Sequence, residues 1–176
     1  MKLYVTRHGE TIVNAQHRVS GRGDVPLTDR GRAQAQALAQ RAAGEPIDLI
    51  LASPLQRAWE TAQAVARAKE IPLLAEPRLM ELDYGSYDLV DIDDPGFQAV
   101  RRTFTRRMGG GESVLQAAAR IYPLLDELHG RYEGQNLLLV CHGTVCRVIH
   151  SYFHDLTAQE FWDSIPDNCE LRCYEW

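Results

Sequence analysis

The chain has 176 residues, of which 45% are hydrophobic and 24% are charged, and these proportions are typical of a folded globular domain. A chain of this length buries roughly 70% of its unfolded surface, so it needs no metal or disulfide staple for stability. With 19 Lys and Arg against 24 Asp and Glu the net charge is −5, which argues against a general nucleic-acid or acidic-membrane binder. A small anion is still an acceptable ligand.

The four cysteines form no C-x-x-C pair, and in a chain of this size we expect free thiols. The amino terminus has no extended apolar signal region. No stretch reaches the ~18 apolar residues that suggest a membrane span. We therefore expect a cytoplasmic protein with neither a membrane nor a nucleic acid as partner.

Short strands and helices are predicted to alternate in the first half of the chain. Strands are predicted at 2–6, 48–52 and 71–75, and helices at 32–43 and 54–69. Thr28 can cap the first helix, and Ser53 can cap the second with Pro54 at its first position. Polar residues follow the first strand directly.

The second half continues the alternation after a segment, 84–110, that is rich in turn-forming and charged residues. Helices are predicted at 97–108, 112–132 and 145–154, and strands at 136–141 and 170–176. Pro123 should bend or divide the middle helix. The last strand alternates in polarity, as expected at the edge of a sheet.

This alternation predicts an α/β fold in which helices cover both sides of a mostly parallel central sheet, a three-layer α/β/α sandwich. We expect residues 1–176 to form one domain, with 84–110 as a short lid-like segment. In such sheets, ligands bind beyond the carboxyl ends of the strands.

Polar residues follow three of the predicted strands, so the parallel sheet can bring them to one edge. These are Arg7 with His8, Ser53 with Arg57 one turn into its helix, and His142. Arginine matches phosphate geometry through its forked donors, and helix amino termini add oriented N–H groups. A neutral imidazole in this pocket could attack a phosphorus atom.

At this point the sequence resembles the histidine phosphatase superfamily, also called the phosphoglycerate mutase-like family. Residues 7–14 (RHGETIVN) resemble its R-H-G-x-T-x-x-N signature, and further segments match in family order along most of the chain. The other matching segments are 20–21, 24–28, Gly31, 53–58, 61–62, 79–82, 111–113 and 140–143.

The resemblance implies a phosphoglycerate mutase-like fold and a role for each of five residues. His8 would be the nucleophile and would carry the phosphoryl group as a phosphohistidine. Arg7, Arg57 and His142 would surround the phosphoryl oxygens and stabilise the transition state. Glu81 would protonate the departing alkoxide and then take a proton from the attacking water. No metal and no cofactor is implied.

Asn14, Ser20, Gly21 and Gly143 match positions that line the phosphate pocket in the family. Their donors would be side-chain or backbone N–H and O–H groups. For Gly21 and Gly143 a requirement for an unusual backbone dihedral or for close packing is an equally good interpretation.

Glu81 has competitors, because any single carboxylate is ordinarily explained by a surface salt bridge. Glu10, Asp83 and Asp88 are alternative acids. Many relatives also follow the acid with F-G-x-W-E-G, whereas this chain has YGSYD at 84–88.

Two further groups of residues have both an ordinary and a functional interpretation. Cys146, His150 and His154 are spaced for one face of a helix, but helix packing explains them better than zinc does. Four arginines in the predicted lid are interpreted as a solvated helix face, with recognition of a second anionic group as the alternative. They are Arg101, Arg102, Arg106 and Arg107.

The leading functional prediction is a metal-independent phosphatase that acts on a small phosphomonoester. Because the stretch between Tyr87 and Gly109 is short beside the insertions of phosphoglycerate mutases, water should reach the phosphohistidine. The alternatives are a phosphoglycerate mutase or phosphotransferase, and a catalytically weak phospho-ligand binding or regulatory protein. The metabolite is left open, and the terminal strand could pair with a second copy as a homodimer.

Overall fold

The computed structural model describes the whole chain from Met1 to Trp176. One sheet contains five strands: β1 (Lys2–Arg7), β2 (Leu49–Ala52), β3 (Leu73–Ala75), β4 (Leu137–Cys141) and β5 (Leu171–Glu175). Their order is β3-β2-β4-β1-β5, and only β5 runs antiparallel to its neighbour. The mostly parallel sheet and the edge position of the last strand confirm the predictions.

Seven helices surround this sheet: α1 (Ile12–Ala15), α2 (Asp29–Ala42), α3 (Gln56–Lys69), α4 (Pro95–Val100), α5 (Val114–Arg131), α6 (Gly143–Phe153) and α7 (Ala158–Asp163). Short 3₁₀ turns lie at Pro77–Leu79, Gly85–Tyr87 and Met108–Gly110. None of the helices has the length and apolar composition needed to cross a bilayer.

The core has two halves because successive strand residues point to opposite faces of the sheet. Leu137 and Leu139 belong to the half that contains α5 and α6. Leu138 and Val140 belong to the half that contains α2 and α3. Since β4 is the central strand and all five of its residues are buried, both faces are covered, as a three-layer α/β/α sandwich requires.

The caps of α2 and α3 differ from each other in how well the sequence predicts them, and α3 begins two residues later than predicted, at Gln56. Thr28 caps α2 as expected, since its hydroxyl accepts a hydrogen bond from the Gly31 N–H at 2.9 Å. Ser53, however, is not the cap of α3: Leu55 occupies the N-cap position and makes no side-chain capping bond. The Ser53 hydroxyl is engaged by the imidazole of His142 instead.

In the region after residue 95, the predicted extent of one helix is wrong, and the division that was one predicted outcome at Pro123 does not occur. The helix predicted over 97–108 ends at Val100, and Phe104 leaves helical geometry to pack its ring 5.0 Å from that of Phe161. Tertiary packing of an aromatic ring here overrides local helix propensity. Pro123 does not divide α5, which runs unbroken because this proline lies on the exposed face, where solvent can satisfy the carbonyl left unpaired.

Candidate active site

The candidate site lies where the carboxyl ends of β1, β4 and β2 meet. His8 follows β1, His142 follows β4 at the N-cap of α6, and Ser53 follows β2 just before α3. Backbone bonds extend the ladders past the strand ends, from the His8 N–H to the Cys141 carbonyl and from the Ser53 N–H to the Val140 carbonyl, each 3.0 Å. The sheet therefore brings together the residues that the sequence placed at this edge.

The His8 ring is buried and held in one tautomer. Its Nδ1 lies 2.7 Å from the Gly9 carbonyl, which can only accept, so Nδ1 carries the proton and Nε2 carries the lone pair. Burial, followed by the charges of Arg57 and Arg7, lowers the pKa of His8 well below its ordinary value of 6.5. The ring is thus a neutral imidazole with a free nucleophilic nitrogen at pH 7.

Arg57 is fully buried between the two histidines. Its Nε–H points to both His8 Nε2 (3.3 Å) and His142 Nδ1 (3.2 Å), and its other nitrogens donate to the carbonyls of Gly23 (3.0 Å) and Gly21 (2.6 Å). Burial lowers the pKa of Arg57, and nearby carboxylates, Glu81 first, oppose this effect. The loop carbonyls fix the guanidinium so that its charge lies against the nucleophilic nitrogen.

His142 has the opposite tautomer to His8. Because Nδ1 accepts from Arg57, its proton is on Nε2 and is donated to the Ser53 hydroxyl at 2.7 Å. Burial and then the Arg57 charge lower the pKa of His142 well below 6.5. This ring is also a neutral imidazole.

Glu81 is buried and is the one carboxylate on the cleft wall. Its Oε2 accepts from the Thr144 N–H (3.2 Å) at the amino terminus of α6, and its Oε1 accepts from the Leu82 N–H (2.8 Å). The two backbone donors hold the carboxylate at a fixed position beside the histidines. The competing acids have other partners. Glu10 forms an ion pair with Arg30, and Asp83 accepts a hydrogen bond from the Gly85 N–H. Asp88 accepts hydrogen bonds from the N–H groups of Gly21 and Gly23.

His8, Glu81 and the predicted Arg7 line a cleft of about 120 Å³. Arg57, His142 and Ser53 are fully buried and are not among the residues that line it. Four buried side-chain polar atoms in the chain have no hydrogen-bond partner, and three of them belong to residues of this cleft: Arg7 Nε, Ser20 Oγ and Arg147 Nε. Buried donors are almost always paired in folded proteins, so three unpaired donors in one cleft indicate a site built for an anion.

The remaining predicted pocket residues divide into two groups. Asn14, Ser20 and Gly143 line the cleft. The Asn14 amide oxygen accepts from the Thr11 N–H at 3.2 Å, which leaves the amide nitrogen free to donate. Gly21 does not line the cleft, because its N–H is bound by Asp88 and its carbonyl by Arg57. The structure therefore places Gly21 as a support for Arg57.

The arginines of segment 84–110 differ in position. Arg101 lines the cleft. Arg102 is exposed and lies 4.0 Å from Asp163, and Arg106 and Arg107 are exposed and do not line the cleft. Arg102, Arg106 and Arg107 are exposed, as the solvated-face interpretation expects, but they do not form a helix face because α4 ends at Val100. Arg101 alone is placed for contact with a ligand.

Several residues with evident positioning roles were not among the predicted site residues. The Thr61 hydroxyl accepts from the Gly9 N–H (3.0 Å), and the Asn168 amide donates to the His8 carbonyl (2.7 Å). Arg147 and Thr144 also line the cleft. Arg147 follows Gly143 by four positions on one helix, a spacing that could have revealed it; no sequence signal points to Asn168.

The side chains considered as zinc ligands have other partners. Cys146 Sγ lies 3.4 Å from Cys141 Sγ, and His150 Nδ1 lies 3.0 Å from the Tyr174 hydroxyl. The rings of His150 and His154 pack at a centroid distance of 4.4 Å. These contacts belong to the packing of α6 against the sheet.

Comparison with known proteins gives matches along nearly the whole chain. Residues 3–176 match the family model described as histidine phosphatase superfamily (branch 1). Phosphoserine phosphatase 1 of Hydrogenobacter thermophilus is 30% identical over 176 residues, covering 96% of this chain and 83% of the relative. A probable phosphoglycerate mutase GpmB of Enterobacter sp. (strain 638) is 36% identical over 150 residues, covering 81% of this chain and 70% of the relative.

Solved structures agree with the sequence matches. A mycobacterial glucosyl-3-phosphoglycerate phosphatase in complex with VO3 superposes with a TM-score of 0.89 at 27% identity, covering 98% of this chain and 90% of that one. The alpha-ribazole phosphatase from Shigella flexneri superposes with a TM-score of 0.86 at 27% identity, covering 98% and 89%.

Proposed function

This chain belongs to the histidine phosphatase superfamily, and we propose that it hydrolyses small-molecule phosphomonoesters by way of a phosphohistidine at His8. The observation that supports this most is the position of His8 Nε2, an unprotonated nitrogen beside Arg57 in a cleft with unpaired donors on Arg7 and Ser20. That arrangement suits a phosphoryl group and supplies the nucleophile that attacks it.

In the first half-reaction, the lone pair of His8 Nε2 forms a bond to phosphorus while the bond from phosphorus to the ester oxygen breaks. The phosphoryl oxygens take over the Arg57 N–H that His8 and His142 share, and they accept from Arg7 and Ser20. Each well-placed donor of this kind commonly contributes a few kcal/mol to the transition state. This step requires Glu81 to carry a proton, which it gives to the leaving alkoxide.

In the second half-reaction, Glu81 takes a proton from a water molecule whose oxygen attacks phosphorus. The bond from His8 Nε2 to phosphorus breaks, inorganic phosphate leaves, and the imidazole and Glu81 return to their starting protonation states. The Nδ1–H bond to the Gly9 carbonyl persists throughout and stabilises the positive charge on the phosphorylated ring.

The alternative mutase activity uses the same residues, and probable phosphoglycerate mutases are among the relatives. The two activities differ in whether water reaches the phosphohistidine. Here the segment after Tyr87 folds as one six-residue helix and turns, so little chain is available to enclose an intermediate. Hydrolysis is therefore the favoured outcome, and equilibration of 2- and 3-phosphoglycerate faster than phosphate release would establish the alternative.

The proposal is tested by turnover and by trapping of the intermediate. The wild-type chain should release phosphate from an aryl phosphate in the presence of a chelator, and ³²P from labelled substrate should appear on the protein in an acid-labile form. His8→Asn should lose both the label and at least about 10³-fold of kcat. His150→Asn, which changes a histidine outside the cleft, should keep both.

Two results contradict the proposal. One is retention of the label in His8→Asn, and the other is complete loss of turnover on chelation. Turnover of an aryl phosphate that depends on His8 would also exclude the third candidate, a catalytically weak phospho-ligand binding or regulatory protein.

Three further expectations concern domain organisation, cellular location and self-association. Residues 1–176 act as one domain with 84–110 over the cleft, the reaction takes place in the cytoplasm, and β5 at the sheet edge offers a pairing surface for a second copy. Limited proteolysis, cell fractionation and sedimentation analysis test them in turn.

A further inference from the structure

Two hydroxyl groups lie on the cleft wall beside Glu81, and neither half-reaction uses them. The hydroxyl oxygens of Tyr84 and Thr144 are 2.8 Å apart, and both residues line the cleft together with Glu81. Thr144 also contacts the acid directly, because its backbone N–H donates to Glu81 Oε2 at 3.2 Å. The hydroxyl pair is therefore next to the group that must accept a proton from the attacking water.

Tyr84 is held in position by its ring, and its hydroxyl is a donor. The ring meets that of Phe97 edge to face at a centroid distance of 5.9 Å. Burial, and then the charge of Glu81, raise the pKa of Tyr84 above its ordinary value of 10, so the hydroxyl carries its proton at pH 7. In the segment compared with F-G-x-W-E-G, Tyr84 takes the place of Phe, so this hydroxyl is an addition to that motif.

The hydroxyl pair has one hydrogen that no protein atom accepts. Each hydroxyl carries a single O–H. The bond between Tyr84 and Thr144 uses one of these hydrogens, and neither oxygen has another hydrogen-bond partner in the protein. Because buried hydroxyl groups are almost always hydrogen-bonded, the second O–H indicates a small polar molecule at this part of the cleft.

The Glu81 carboxylate has the matching capacity to accept. A carboxylate offers about four lone-pair positions, and the N–H groups of Leu82 and Thr144 use two of those on Glu81. A water molecule between the hydroxyl pair and Glu81 can therefore donate to the carboxylate and accept from the unused O–H. Its second lone pair is then free for phosphorus.

Space for water continues behind the hydroxyl pair. Tyr84 and Thr144 also line a second cavity of about 50 Å³, whose charged lining residues are Arg101 and Arg147. One buried water needs roughly 10–15 Å³ and two to four polar partners, so this cavity is large and polar enough for water. The hydroxyl pair thus lies between the cleft and a place where water is held.

We propose that the hydroxyls of Tyr84 and Thr144 bind the water molecule that hydrolyses the phosphohistidine and orient it between Glu81 and the phosphorus atom. The inference rests on the proposed function, because it requires a phosphoryl group on His8. One lone pair of the water accepts the unused O–H, and the other forms the bond to phosphorus as the bond from His8 Nε2 breaks. One water proton passes to Glu81, and the other leaves with the phosphate. Both hydroxyls keep their own protons.

The test follows the two half-reactions separately by rapid quench. ³²P-labelled 4-nitrophenyl phosphate labels the chain, and excess unlabelled substrate then lets the decay of the label report hydrolysis. This ester is chosen because its weakly basic leaving oxygen depends little on a nearby donor. Tyr84→Phe and Thr144→Val should each slow the decay about tenfold and leave the rate constant for labelling within about twofold of wild type.

Two further variants separate water binding from packing. Thr144→Ser returns the hydroxyl and should recover most of the loss seen in Thr144→Val. Tyr122→Phe removes a hydroxyl from a similar pair outside the cleft, that of Tyr122 with Ser151 at 3.0 Å, and should leave both rate constants unchanged. If Thr144→Val fails to fold, Tyr84→Phe, which removes a single oxygen atom, decides the question.

An unchanged decay of the label in Tyr84→Phe overturns the water site. Equal slowing of labelling and decay overturns it as well, because the hydroxyl would then only support the position of Glu81. In both cases a label that His8→Asn abolishes leaves the proposed function standing. If the wild-type chain takes up no label through His8, the proposed function fails and the water site fails with it.

Discussion

His8 and His142 face each other across one guanidinium N–H, with their ring centroids 5.1 Å apart and the rings tilted by 59°. Arg57 Nε lies at almost equal distances from a nitrogen of each ring, 3.3 and 3.2 Å. Each of these nitrogens must carry a lone pair to accept the N–H, so both rings are neutral. One buried cation thereby keeps the nucleophile unprotonated and fixes both tautomers.

The neutral histidine pair predicts loss of stability in mild acid. The folded pKa values of His8 and His142 are below the unfolded value near 6.5, so the unfolded chain binds more protons below that pH. The free energy of unfolding should therefore fall as pH drops below about 6.5, by up to about 1.4 kcal/mol per pH unit for each histidine. Urea denaturation at pH values between about 7.5 and 5.5 measures this slope.

The matched control is the double variant His8→Asn/His142→Asn. Its free energy of unfolding should depend less steeply on pH in the same window, because two of the groups that take up protons on unfolding are gone. A slope equal to that of the wild-type chain would mean that neither histidine is held neutral by the fold.

The hydrogen bond from His142 to Ser53 leads to a second prediction, which concerns the tautomer and orientation of His142. The Ser53→Ala change leaves the buried Nε2–H of His142 without an acceptor, which costs about 1–3 kcal/mol and favours the tautomer with the proton on Nδ1. A proton on Nδ1 would face the Arg57 Nε–H, and two donors cannot form a hydrogen bond with each other. We expect kcat to fall about tenfold or more with little change in KM, and the pH dependence of kcat to shift.

Ser164→Ala is the control for this change, since it removes a hydroxyl that donates to the Phe161 carbonyl away from the cleft. It should leave kcat and the pH profile unchanged. Equal effects of the two substitutions would show that Ser53 contributes general stability and does not orient the imidazole.

Substitution of alanine for two glycines in helices should change the free energy of unfolding in opposite directions. A Cβ atom on Gly31 would lie 2.0 Å from the Glu10 carbonyl oxygen, in the loop that follows the nucleophile. Gly31→Ala should therefore force α2 away from that loop, lower the free energy of unfolding by about 1–3 kcal/mol and reduce kcat. A Cβ on Gly130 in α5 meets nothing within 4 Å, so Gly130→Ala should raise stability by about 0.5–1 kcal/mol.

Thermal unfolding measures both the expected loss and the expected gain of stability, because 1 kcal/mol shifts the unfolding midpoint of a chain of this size by roughly 2–4 °C. A stabilised Gly31→Ala variant would contradict the close approach of α2 to the loop. An unstable Gly130→Ala variant would contradict the helical backbone assigned to that position.

The sequence was least informative where a residue serves a distant partner. Ser53 has the sequence context of a helix cap, yet its hydroxyl binds a histidine 89 positions away. Residues 97–108 have a helical pattern, yet the chain turns after Val100 so that Phe104 can pack on α7. In both places a contact across the fold outweighs a local preference of about 1 kcal/mol.

The sequence alone determined the layer architecture, the edge of the sheet that holds the site, and the histidines and arginines that follow its strands. It could do so because apolar periodicity is local and because the carboxyl ends of parallel strands share one edge. Only the tertiary structure decided which carboxylate faces the cleft, how the Arg57 N–H is shared between two histidines and that Arg147 Nε has no hydrogen-bond partner. Those features depend on contacts such as that between Glu81 and Thr144, 63 positions apart, and distances of that kind are fixed by packing of the whole chain.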